Sequence, residues 1–161
     1  AKLRVQTVRA APVPPKPAPP RLSVFLTEEI SKKLVVVTED ESTSHVSILG
    51  DGLFEPGSAV IERSFESVIG RVTNAVNKVP GQIVVTGHTD DRPIRSVRFP
   101  SNWHLSQERA LSVVRLMSKT IDSPERLKAD GRADTVPVAP NDSDVNRARN
   151  RRVEILLKVK Q

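Results

Sequence analysis

The chain has 161 residues, enough for one domain, with no cysteine and a formal net charge of +6. The missing cysteine excludes disulfides, cysteine-based zinc sites and thiol catalysis. The charge points first to nucleic acid, but residues 1–21 hold Lys2, Arg4, Arg9, Lys16 and Arg21 and no acid, which leaves 20 basic against 19 acidic residues in the other 140. A nearly neutral remainder is a poor duplex-binding face, so the basic balance belongs to a tail.

Residues 1–21 are read as a basic linker. Six prolines lie between Pro12 and Pro20, a composition that favours polyproline II and a semi-rigid spacer over a PxxP ligand. The start at Ala1 rather than Met is expected of a piece of a longer protein. No apolar run approaches the ~18–20 residues of a membrane helix.

Residues 22–33 predict a short helix, with Thr27 as N-cap and Glu28 and Glu29 in its first turn. Leu34–Thr38 is β-branched and predicts a strand, and Ser44–Leu49 alternates and predicts its hairpin partner. From Ala59 a long helix is expected. Ile61, Phe65, Val68, Val72 and Val76 recur at spacings of four, three, four and four, and Pro80-Gly81 stops it. Gln82–Thr86 is apolar on both faces and predicts a central strand. Gly87–Ser101 reads as a long loop, with Ser106 as N-cap of a second long helix whose buried face is Ala110, Val113, Val114, Met117 and Ile121. Leu127–Gly131 predicts a brief strand. Residues 132–146 are rich in turns, and the basic run Arg147–Arg152 leads into a last strand, Val153–Val159. The expected order is α-β-β-α-β-α-β-β, an α+β mixed sheet with two long helices on one face.

Catalysis finds little support. There is no G-x-S-x-G elbow. Asp90 and Asp91 are adjacent, so in an extended segment their side chains diverge. His45, His88 and His104 form no H-E-x-x-H pair, and His88 reads as a structural residue at a strand end. No glycine-rich loop matches a phosphate cradle. No enzyme activity, metal or cofactor is expected.

Binding is better supported. Asp90 follows the C-terminal end of a central strand, a common ligand position in α/β sheets. Arg109 is planar and permanently charged, which suits carboxylate recognition. Asn102 can donate and accept, and helix N–H groups near Ser106 would favour an anion. Together they suit a ligand with an ammonium and a carboxylate on one carbon. A ligand-free Asp90–Arg109 salt bridge accounts for the same residues equally well.

Gly-His-Thr-Asp at 87–90, Asn102-x-x-Leu105-Ser106-x-x-Arg109-Ala110, Pro137-x-x-x-Asn141 and Arg147-Ala148-x-Asn150-Arg151-Arg152-Val153 resemble the OmpA-like peptidoglycan-binding domain. That family includes the periplasmic parts of OmpA, Pal and the flagellar stator protein MotB. The resemblance spans residues 46–159 and implies an OmpA-like β-α-β-α-β-β sandwich within 22–161, preceded by a short helix and strand. It implies that diaminopimelate of the peptidoglycan stem peptide is the ligand, with its ammonium at Asp90 and its carboxylate at Arg109; Asn102 and Arg152 are carried over as further binding residues. Asp91 stands where the family usually has Asn, and the loop before Asn102 is longer than in OmpA.

A narrower resemblance rests on Gly50-Asp51-Gly52-Leu53-Phe54, Gly57-Ser58-Ala59, Val79-Pro80-Gly81, Pro93-Ile94-Arg95 and Arg98-Phe99-Pro100-Ser101-Asn102-Trp103. These are similar to the C-terminal periplasmic extension of the TssL (DotU/IcmH-like) family of type VI secretion. It implies a non-catalytic anchor of an inner-membrane complex, located in the periplasm. The implied partners are peptidoglycan and other subunits of the secretion membrane complex, with a homodimer as a further candidate and no nucleic acid. The alternatives are a MotB-like stator anchor and a protein–protein scaffold that has lost peptidoglycan binding.

Overall fold

The computed structural model describes residues 21–94 and 96–159. The Pro-rich linker expected at 1–21 lies outside them except for Arg21.

Five strands form one mixed sheet. They are β1 (Val36–Glu39), β2 (Thr43–Leu49), β3 (Gly81–His88), β4 (Leu127–Gly131) and β5 (Arg152–Val159), in the spatial order β1-β2-β5-β3-β4. β1 and β2 form the expected hairpin, with Val36 opposite Ser47 and Glu39 opposite Ser44. β5 runs antiparallel to both β2 and β3, and β4 runs parallel to β3. A parallel pair needs a crossover between its strands, and the second long helix supplies it.

Two long helices, α4 (Arg63–Asn77) and α5 (Asn102–Ser118), share a core with one face of the sheet. Strand side chains alternate between faces. Val46 and Ile48, Ile83 and Val85, and Val153, Ile155 and Leu157 therefore meet Ile69, Val72 and Val76 of α4 and Ala110, Val113 and Met117 of α5. Leu22 and Leu26 close one edge and are fully buried. Each such aliphatic side chain contributes roughly 1.5–3 kcal/mol by leaving water.

The structure moves several expected boundaries. Residues 22–33 divide into α1 (Leu22–Phe25) and α2 (Thr27–Ser31). The helix expected from Ala59 begins at Arg63, because Ile61 pairs with Phe54 in an isolated β-bridge. Two short helices were not expected: α3 (Gly50–Leu53), directly after β2, and α6 (Asp144–Asn150), capped by the Ser143 side chain. Arg21 belongs to the fold rather than to the linker. Its guanidinium donates to the carbonyls of Asp40 and Thr43 and to Ser44 Oγ, across the β1–β2 turn.

The largest correction concerns α5. Its N-cap is Ser101, whose hydroxyl accepts from His104 N–H, and the helix starts at Asn102. Ser106 lies inside the helix and is fully buried. Its hydroxyl donates to the Trp103 carbonyl and accepts from Ala133 N–H, tying α5 to the turn after β4. No helix N-terminus lies at Ser106, so the anion site expected there does not exist. Two glycines allow this contact. A Cβ on Gly87 would stand 2.2 Å from the Ser106 carbonyl oxygen, and one on Gly131 would stand 2.6 Å from Gln107 N. Only glycine lets the backbones of β3 and β4 meet α5 this closely.

Candidate functional site: a charged cavity at the C-terminal end of β3

The close approach of α5 to β3 puts the first turns of the helix beside the chain leaving the sheet at Thr89 and Asp90. Starting at residue 102, the helix presents Asn102, Leu105 and Arg109 on one side, at spacings of three and four. They line a cavity of about 420 Å³ with Asp51 and Phe54 from α3 and its end, Pro56 and Gly57, Thr89 through Ile94 in part, and Arg151. The structure thus brings together Asp90, Arg109 and Asn102, three of the four expected site residues.

Asp90 is buried. Its Oδ1 accepts from Arg92 N–H at 2.9 Å, which closes a tight turn, and its Oδ2 accepts from Arg151 Nη1 at 2.6 Å. The Asn102 amide nitrogen donates to the Arg92 carbonyl at 2.9 Å and to the Asp90 carbonyl at 3.4 Å. In this arrangement Asn102 positions the loop that carries Asp90.

Arg109 is 6% exposed. Nε donates to the Ser58 carbonyl at 2.8 Å and Nη2 to the Glu55 carbonyl at 3.3 Å. The guanidinium lies 4.8 Å from the centre of the Phe54 ring, a favourable cation–π position. Among the described residues, no carboxylate forms an ion pair with it, and Nη1 has no hydrogen-bond partner. The ligand-free Asp90–Arg109 salt bridge is therefore not formed. Burial pushes the Arg109 pKa down to about 10, against the opposing pull of Asp51 and Asp90. A guanidinium held this way is short of a counter-charge, and a buried charge is costly until it is paired.

Arg152, the fourth expected residue, lies elsewhere. Nε donates to Glu154 at 2.7 Å, Nη1 to the Asn150 carbonyl at 3.1 Å and Nη2 to the Val136 carbonyl at 2.9 Å. The reason is strand alternation. Val153, Ile155 and Leu157 face the helices, so Arg152 faces away from them, while Arg151, one residue earlier, reaches the cavity. Arg151 forks onto Asp51 through Nε and Nη2, at 2.8 and 2.9 Å. That hydrogen bonding raises the Arg151 pKa and holds the Asp51 carboxyl below its usual range.

Asp51 and Arg151 were not singled out from the sequence. The apolar alternation of the last strand carried the signal for Arg151, because extending it back by one step assigns Arg151 to the helix side. Asp51 had no comparable local signal; only the fold brings α3 to this end of the sheet.

A larger hollow of about 670 Å³ lies on another flank of α5, around Trp103, His104, Gln107 and Phe99. Trp103 is exposed there. The smaller cavity is the better site, because its acid and base are both buried and face one space.

The OmpA family matches residues 53–151, from the end of α3 to the start of β5. The chain belongs to the OmpA family. Among solved structures, the cell wall anchor of the T6SS from Pseudomonas aeruginosa is similar, with 46% identity and a TM-score of 0.84, over 88% of this chain and 99% of that one. YtxE of Bacillus subtilis (strain 168) is 32% identical over 86% of this chain and 57% of its own length. Motility protein B of the same organism is 34% identical over 78% of this chain and 50% of its own length. The chain therefore spans about half the length of the curated relatives it matches. All five strands and both long helices of this OmpA-family chain form the mixed α+β architecture that the sequence motifs imply. No helix among the described residues is long and apolar enough to cross a membrane.

Proposed function

We propose that this chain is a non-catalytic cell-wall anchor whose charged cavity binds diaminopimelate of peptidoglycan stem peptides. The observation that carries the reading is Arg109, a buried guanidinium with, among the described residues, no partner for Nη1 and no paired carboxylate, in one cavity with the buried carboxylate of Asp90. The side-chain end of diaminopimelate bears an ammonium and a carboxylate on one carbon. Arg109 takes the carboxylate, Asp90 takes the ammonium, and Asn102 holds the Asp90 loop in place. Arg152 keeps the adjoining turn in place from the other side of the sheet. Each charge-assisted hydrogen bond contributes roughly 1.5–3 kcal/mol, so a few of them give an affinity suited to reversible attachment.

The complex being anchored is an inner-membrane type VI secretion assembly, and the domain works in the periplasm. The similarity to the Pseudomonas aeruginosa anchor along nearly all of that chain supports this. A flagellar stator anchor is the second reading, supported by the similarity to motility protein B. Co-purification with secretion subunits or with stator subunits separates the two.

The cell-wall reading is tested by sedimentation with isolated peptidoglycan sacculi. Wild-type protein is expected to co-sediment, and Asp90→Ala and Arg109→Ala are expected to stay in solution. Equal sedimentation of all three would assign binding to another surface, and failure of the wild type would leave a scaffold role.

A further inference from the structure

The two ends of the cavity are in different states. Arg109 has no carboxylate partner among the described residues, whereas Asp90 already holds a cation. That cation is Arg151, which makes one bond to Asp90, at 2.6 Å, and a two-bond fork to Asp51, at 2.8 and 2.9 Å. The Asp51 side chain is 55% exposed and that of Asp90 is 10% exposed. The guanidinium thus bridges an outer carboxylate, gripped at two points, and an inner one, touched at one.

We propose that Arg151 is an internal stand-in for the ligand's ammonium group, and that Asp51 is the residue that holds Arg151 once the ligand takes its place on Asp90. This rests on the zwitterion reading of the cavity. The two-bond fork is the stronger of the two attachments and outlasts the single bond. When an ammonium reaches Asp90, Arg151 gives up Nη1 and stays on Asp51, so one charge-assisted bond at Asp90 replaces another. A ligand carrying only a carboxylate offers nothing to exchange at Asp90. The device thus sets specificity: it selects a zwitterionic head over a plain dicarboxylate, with Asp51 and Arg151 as specificity residues outside the Asp90–Arg109 pair.

The two partners of one ion pair then have opposite effects. Without the Asp51 charge, Arg151 has Asp90 as its remaining carboxylate and competes with the ligand for it. Without Arg151, Asp90 is open. An ion pair that only stabilised the fold would weaken binding whichever side was removed.

Calorimetric titration of the 161-residue chain with meso-diaminopimelate, and with pimelate as the same chain without amino groups, tests this. Asp51→Asn is expected to weaken meso-diaminopimelate binding about fivefold and Arg151→Gln to tighten it about fivefold, the scale of a partly exposed ion pair. The double variant is expected to match Arg151→Gln, since Asp51 acts through Arg151, and pimelate binding is expected not to tighten on Arg151→Gln. Weaker meso-diaminopimelate binding in both single variants, or no change in either, overturns the inference and leaves the zwitterion reading standing. Binding by Arg151→Gln but not by wild type supports the inference in its strongest form, a site closed by its own arginine. Binding by none of the proteins overturns the zwitterion reading, and the inference falls with it.

Discussion

Two charged clusters lie near the end of β3, on opposite sides of the sheet, and they are built on opposite principles. On the side away from the helices, Glu154 gathers Arg152 at 2.7 Å, His45 at 3.0 Å and His88 at 3.3 Å. All three donor nitrogens of Arg152 are spent within the protein. Burial opposes the charge on Glu154, but contacts from His45, His88 and Arg152 hold its carboxyl far below the usual range. On the helix side, Asp51, Asp90, Arg109 and Arg151 share a cavity in which Arg109 forms no ion pair among the described residues. A cluster whose carboxylate is already paired stabilises a fold, whereas one with an unpaired guanidinium is suited to receive a ligand. Arg151 and Arg152 are neighbours in sequence and belong to different clusters.

The contrast can be broken most severely at Arg152. Arg152→Ala is expected to destabilise the fold by about 3 kcal/mol, because it takes the guanidinium from the half-buried Glu154 carboxylate and leaves two carbonyls without their donor. A denaturant titration checks this. The affinity for sacculi of the fraction that remains folded should be close to that of wild type. If affinity falls while stability holds, the two clusters have been assigned the wrong way round.

Gly87→Ala tests the contact on which the cavity depends. The added Cβ would drive the backbone of β3 from Ser106, with an expected cost of about 2 kcal/mol. The same melting measurement should be followed by weaker sacculus binding, since Asn102 and Arg109 move with α5.

Arg109→Lys sharpens the contrast from the other side. An ammonium cannot reproduce a planar fork that serves the Ser58 and Glu55 carbonyls and a ligand carboxylate together. Sacculus binding is expected to fall by about tenfold, the loss of one charge-assisted bond. Because the native guanidinium forms no ion pair among the described residues, the accompanying loss of stability, which comes from the Ser58 and Glu55 carbonyls, should be smaller than that of Arg152→Ala.

The smallest expected effect belongs to His45. Hydrogen bonding to Glu154 raises its pKa above the ordinary value of 6.5, against the opposing effect of burial. A raised folded pKa adds stability that is fully present below the unfolded value and is lost as pH rises through the folded one. Glu154 has the opposite sign. Its contribution is present above its ordinary value of 4.5 and is lost as pH falls below it toward the depressed folded value. Wild type should therefore melt above His45→Gln between about pH 5 and 6.5, and the gap should narrow as pH rises through the raised His45 value. A constant gap through that rise would remove the charged His45–Glu154 pair from the Glu154 cluster.

The fold was largely legible in the sequence because its signals are periodic. The apolar rows of α4 and the alternation of β2 and β5 each repeat along an element, so a boundary error leaves the element in place. The α5 start shows the limit. Ser101 and Ser106 are both good caps by residue type, and what decides between them is the packing of Leu105 and Arg109 one turn apart. α6 is short and rich in arginine, and its cap Ser143 sits among other turn formers, so nothing local marks it. In the site, Asp90 and Arg109 were visible from their motifs. The motif implies Arg152 without giving its direction, and the alternation of Val153, Ile155 and Leu157 supplies that direction and points Arg151 to the cavity. Asp51 becomes visible only when the sheet brings the ends of β2 and β3 to one edge, on either side of the start of β5.

The grip of Arg21 on the β1–β2 turn has a mechanical consequence. Beside the backbone path into α1, the Arg21 guanidinium passes part of any pull from the N-terminal side to the carbonyls of Asp40 and Thr43. β2 starts at Thr43 and runs to Leu49, directly before the α3 that carries Asp51. In the proposed anchor, tension between the N-terminal segment and a ligand-bound cavity runs along the axis of β2. Its seven paired positions with β5 lie across that line and carry the load in shear, sharing it, rather than being peeled apart one after another.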